Sequence, residues 1–80
     1  MEVDRSIVFY EKQGERLIGE IPIYIEIGEL KNIFIAKKDD PLLYDPYKIG
    51  KKEKEALIKL ISVNIDLDSY DYFLECFQKK

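Results

Sequence analysis

Hydrophobic and polar positions change their period several times along this chain, and each change marks an element. Over residues 5–11 and 16–23 apolar side chains recur at nearly every second position, the period of a half-buried strand. Lys12-Gln13-Gly14 separates the two runs, and Gly14 suits the left-handed conformation that closes a three-residue hairpin loop with a bulge. That loop sets Phe9 opposite Leu17 and Ile7 opposite Gly19. Ile7, Phe9, Leu17 and Ile21 then face the core, while Ser6, Val8, Tyr10, Arg16, Ile18 and Glu20 face outward. A two-residue turn at Gln13-Gly14 would instead pair Phe9 with Ile18 and Ile7 with Glu20, a register that separates polar from apolar less well.

Pro22 cannot donate to a ladder and ends the second strand. Ile27, Leu30, Ile33 and Phe34 then fall on one helical face over residues 27–36, although the β-branched residues there keep a strand open. Residues 37–41 read as a loop, with Pro41 barring a helix. An irregular stretch leads to a short strand at Tyr47-Lys48-Ile49. Gly50 is an acceptable N-cap for a helix over 51–62, with Ala56, Leu57, Leu60 and Ile61 as its apolar stripe. Lys51, Lys52 and Lys54 oppose the helix dipole there, so that first turn is expected to fray. Ile65 and Leu67 are expected to pin the following connection to the core. In the last strand, over 69–78, Tyr70, Tyr72, Leu74 and Cys76 point one way and Asp71, Phe73, Glu75 and Phe77 the other. The order is ββαβαβ: one α+β domain over residues 1–80, a mostly antiparallel sheet with two helices packed on one face.

Composition narrows the function. The 80 residues carry 13 basic and 16 acidic groups, a net charge of −3, with no histidine. A phosphate-binding surface wants clustered excess Lys and Arg, so nucleic acid is not an expected partner; a basic protein is. Lys79 and Lys80 read as a charged tail that can guard a sheet edge. The charged start lacks the apolar run of a signal peptide, and no stretch approaches a membrane span, so a soluble cytoplasmic protein is expected. The one cysteine, Cys76, cannot form an internal disulfide and reads as a reduced core thiol.

Candidate chemistry is sparse. Without histidine the usual general base and the commonest metal ligand are missing, and the four glycines are too scattered for a phosphate loop. Asn64, Asp66, Asp68 and Glu75 match parts of a calcium-loop spacing. Ser69 occupies the position that needs glycine, however, and a strand from Tyr70 would carry Glu75 away, so an acidic turn is the better reading. Neither catalysis nor a cofactor or metal is expected. Binding is. With both helices on one face, the other presents Val8, Tyr10, Ile18, Phe73 and Phe77 beside Glu20, Asp71 and Glu75, an apolar cluster rimmed by carboxylates that marks a protein-binding surface. The competing possibilities are a loop over residues 42–47 folded across it, or helices on opposite faces. Tyr44, Asp45 and Tyr47, with Asp39 and Asp40, form a second candidate surface, unless those rings tuck against the domain's own edge.

The run Leu67-Asp68-Ser69-Tyr70-Asp71-Tyr72-Phe73-Leu74-Glu75-Cys76-Phe77, with Asp40-Pro41 and Tyr47-Lys48-Ile49 upstream, resembles small bacterial proteins that end in a Tyr-Phe-Leu-Glu-Cys-aromatic strand. Those proteins are encoded beside polymorphic toxins. The resemblance implies an immunity role of the contact-dependent growth inhibition or bacteriocin type, in which a cognate toxin domain, often a nuclease with a basic cleft, is bound and blocked. It carries no catalytic motif. A generic interaction module, or a homodimer joined through its open sheet face, is the alternative.

Overall fold

A computed structural model describes residues 3–78. The elements are β1 (Val3–Glu11), β2 (Leu17–Ile23), α1 (Ile27–Ile33), β3 (Tyr47–Lys48), α2 (Lys51–Leu60) and β4 (Tyr70–Gln78), so the ββαβαβ order stands. The four strands form one sheet in the order β2-β1-β4-β3. Every pairing is antiparallel. The tail at Lys79 and Lys80 lies outside the described residues. No helix among those described is long and apolar enough to cross a membrane.

β1 and β4 pair along their full lengths, with Ile7 opposite Leu74 and Phe9 opposite Tyr72. This puts the apolar parity of both strands on one face. There Ile7 and Leu74, with no exposure, pack with Ile23, Tyr72, Leu30, Phe34, Leu43, Ile49, Leu57 and Ile65 as a single core. Both helices contribute to that core, so they cover one face as expected. Between β2 and β3 the chain crosses this inner face through α1 and the loop that follows. Ile65 is buried, and Leu67 packs partly against the core, so both pin the last connection.

Neither hairpin register expected from the pattern occurs. Phe9 stands opposite Gly19 and Ile7 opposite Ile21, two residues away from the preferred alternative. One residue comes from the loop, which closes with the Glu11 N–H donating to the Arg16 carbonyl at 2.9 Å. Gly14 (φ 88) and Glu15 (φ 53) both take positive φ, so the loop spans residues 12–15 rather than three positions. The second residue is a bulge: the register passes from Phe9–Gly19 to Tyr10–Leu17 and skips Ile18. A shift of two restores the faces for Ile7, Phe9 and Ile21. It does not for Leu17, which the bulge turns away from the core and leaves 56% exposed.

The inner stack explains Gly19. A Cβ there would lie 2.7 Å from the Phe9 ring, which is itself held by Tyr72 at 5.0 Å and Tyr70 at 5.4 Å between centroids. The absent side chain is what lets the ring lie across β2. Other departures are smaller. α1 stops at Ile33 rather than residue 36, because Phe34 turns extended (ψ 139) and buries its ring near Tyr47. α2 ends at Leu60, which is 47% exposed instead of joining the apolar stripe; Ile61 and Val63, beyond the helix, pack on the core in its place. Its first turn is steadied by Glu53, whose Oε1 accepts the Gly50 N–H at 2.9 Å and places a carboxylate at the positive end of the dipole. Cys76 is half-buried rather than a core thiol; burial pushes its pKa up against the opposing charge of Arg5.

Gly19→Ala should therefore destabilise the fold by about 1–3 kcal/mol through overpacking against Phe9. Urea unfolding checks this, and Phe9→Leu in the same background should recover part of the loss.

Candidate functional site

The sheet's outer face is set by the same ladder. Asp4, Ser6, Val8 and Tyr10 of β1 lie beside Asp71, Phe73, Glu75 and Phe77 of β4, with Glu20 and Pro22 on β2 and Lys48 on β3. No loop folds across it: Leu43 is buried in the core on the helix side, and Tyr47 packs against that core. Two residues expected to be exposed here are not. Val8 is 2% and Ser6 3% exposed. Val8 lies on the central strand between Glu20 and Phe73, and Phe73 meets Tyr10 edge-on at 5.8 Å. Larger neighbours thus roof a small residue without a second layer of backbone.

The polar groups of this face are ordered. Ser6 Oγ donates to Glu20 Oε2 at 2.9 Å, and the Tyr10 hydroxyl donates to Glu75 Oε2 at 2.7 Å. The bond to Glu75, burial, and the charges of Glu75 and Glu20 together raise the Tyr10 pKa, so the phenol stays a donor at neutral pH. Asp71 receives Lys12 Nζ at 3.1 Å. Among the described residues, Glu20 and Glu75 have neutral hydroxyl partners and no ion pair. Phe77 is 41% and Ile18 39% exposed. Tyr10, Glu20, Asp71, Phe73, Glu75 and Phe77 therefore share one face, as the alternation in the last strand implies.

The second candidate surface is divided. Asp39, Tyr44 and Asp45 lie at the surface, whereas Asp40 is only 5% exposed and has an internal task. Its Oδ1 accepts the Tyr44 N–H at 2.8 Å. Its Oδ2 accepts the Asp45 N–H at 2.9 Å and the Tyr47 hydroxyl at 2.8 Å. These bonds brace Leu43, a fully buried residue held at φ 57, where a branched side chain is strained by about 1–2 kcal/mol. The Tyr47 hydroxyl also accepts the Lys37 N–H at 3.0 Å. Asp40 and Tyr47 thus brace this loop, and the near-complete burial of Asp40 leaves it little surface to offer a partner, unlike half-buried Tyr47. The sequence signal was present in Asp40 itself, an acceptor just before Pro41 and a run of backbone donors.

The acidic turn behaves as a turn. Asp66 accepts the Ser69 hydroxyl at 2.6 Å and the Asp68 N–H at 3.2 Å, while Glu75 is held by Tyr10 on the outer face of the sheet. The Ser69 hydroxyl, ahead of its backbone bonds, holds the Asp66 carboxyl below the usual range against the effect of burial. Among the described residues no three His, Cys, Asp or Glu side chains gather as a metal site.

Burial pushes the Asp40 carboxyl up. The Asp45 and Tyr44 amides, the Tyr47 hydroxyl and the Lys37 charge outweigh this and leave its pKa below the ordinary aspartate value. A depressed folded pKa adds stability above the unfolded value, about 4, and loses it as pH falls through the folded value. Asp40→Asn should lower the Tm at pH 7 and flatten the acid limb below about pH 4. Hydrogen exchange at Tyr44 and Asp45 should become about tenfold faster or more.

In comparisons with known proteins, no curated protein and no solved structure matches this chain. A family model described as a domain of unknown function, DUF7683, matches residues 4–75. That span runs from β1 through Glu75 of β4 and takes in both strands of the central ladder. The chain belongs to the DUF7683 family.

Proposed function

We propose that this chain is a cytoplasmic immunity protein that binds a cognate bacterial toxin domain and neutralises it by covering its active site or an adjacent surface. The observation that carries the reading is the outer sheet face. It combines one exposed ring, Phe77, and two half-buried ones, Tyr10 and Phe73, with two carboxylates, Glu20 and Glu75, held by neutral hydroxyls and lacking a counter-ion among the described residues. Such a face is pre-organised: its rotamers are fixed by Tyr10, Ser6 and Phe73 before any partner arrives, which lowers the ordering cost of association. Its charge suits a basic partner, and its rings can supply anchors.

The chemistry supports inhibition by occlusion. With no histidine and a net charge of −3, the chain is composed for binding a basic surface rather than for general acid–base work. The likeness of residues 67–77 to the final strand of toxin-linked immunity proteins points the same way. The toxin's own activity does not need to be matched by any group here. It needs only to be sterically shut off.

Co-expression with the product of the adjacent toxin gene should restore growth, and the two purified proteins should co-elute. Glu75→Lys and Phe77→Ala should each weaken the complex by about tenfold or more. Phe77 is a cleaner probe than Phe73, whose ring also roofs Val8 and touches Tyr10. Equal killing with and without this chain would overturn the reading. So would light scattering that shows a stable homodimer broken by Phe77→Ala, because the face would then be occupied by a second copy.

A further inference from the structure

Where the hairpin loop meets the outer face there is a pocket of about 260 Å³ lined by Tyr10, Phe73, Glu11, Glu15 and Asp71. Its volume falls below the roughly 300–1,000 Å³ of sites for drug-sized molecules, and suits the end of one side chain. Two rings and three carboxylates line it. Glu11 is paired with Arg16 at 2.7 Å and Asp71 with Lys12 at 3.1 Å. The two cations are 75% and 45% exposed, and such surface pairs are worth at most about 1 kcal/mol, so an incoming cation can exchange with them. Glu15 has no ionic partner among the described residues, which leaves the pocket with one carboxylate more than its cations.

We infer that this pocket receives an arginine side chain from a basic protein partner. The inference rests on the proposed binding role of the outer face and names the group that enters it. A planar guanidinium can lie against the Tyr10 or Phe73 ring while its N–H fork meets Glu15 or Asp71. Lysine fits less well, because a compact and strongly hydrated ammonium gains less from an aromatic face and cannot donate in a fork. The surplus carboxylate thus selects the sign of the guest, and the two rings select its planar head.

The test is a 15N–1H NMR titration of the whole protein with the capped tripeptide Ac-Gly-Arg-Gly-NH2. Its counterparts carry citrulline or lysine in place of arginine. Saturable shifts should centre on Tyr10, Glu15, Asp71 and Phe73, with a dissociation constant on the order of 10 mM. Citrulline, which keeps the shape and drops the charge, should bind at least about fivefold more weakly, and Glu15→Gln should weaken the arginine peptide by about threefold. Equal binding of the citrulline or lysine peptide, or unchanged affinity in Glu15→Gln, would overturn the inference. Its failure is separable from that of the immunity role. A toxin captured through Glu75 and Phe77 while the arginine peptide leaves the pocket unmoved sinks the pocket alone. An arginine peptide seated there with no toxin captured sinks only the immunity role.

Discussion

The pairing of β1 with β4 is the constraint on which everything else rests. It joins Val3–Glu11 to Tyr70–Gln78, strands from opposite ends of the described chain, in a ladder running from Val3–Gln78 to Glu11–Tyr70. Closing so long a loop carries an entropic cost before any contact offsets it. The return is concentrated at Ile7 opposite Leu74, both without exposure, and at Phe9 stacked on Tyr72. Once these pairs form, the inner parity is committed to the helices. The outer parity then follows with no further freedom, because a strand turns alternate residues to opposite faces.

Because the two faces share one backbone, the outer face is set on the same ladder as the core. Val8 lies one position from Ile7 and faces Phe73, one position from Leu74. To move the backbone under Tyr10, Glu75 or Phe73, a fluctuation must open the ladder that carries Ile7 and Leu74. The outer face is itself partly closed: Val8 and Ser6 are buried, while Tyr10 and Phe73 stay half-buried.

What could be read from the sequence, and what could not, divides along the same line. Periodicity marked the long strands and α2, left helix or strand open over 27–36, and gave both faces of the last strand, because alternation survives any even shift of register. The register itself was hidden. The longer loop, with Gly14 and Glu15 both at positive φ, moves it by one and the bulge at Ile18 by one more, and glutamate carries no local mark of a left-handed conformation. The sequence pairs Gly19 with Ile7, so its place as the floor beneath Phe9 could not be read, since that depends on which residue stands opposite. Asp40 differs again: its place just before Pro41 and a run of backbone donors hints at an acceptor role, and the fold shows which three donors converge on it.

The two carboxylates that behave most differently, Asp40 and Glu75, show why charge alone does not mark a binding residue. Asp40 accepts three donors from its own loop and has little capacity left; its negative charge is spent on holding Leu43. Glu75 accepts one hydroxyl on Oε2, and no hydrogen bond to its other oxygen occurs among the described residues. A carboxylate that is oriented by one bond but not saturated can still take a cation, and it does so without first losing a partner. Tyr10 and Glu75 sit on the rigid ladder. An interface built on them would depend on unsatisfied acceptor capacity held at a fixed place, which the saturated carboxylate of Asp40 does not offer.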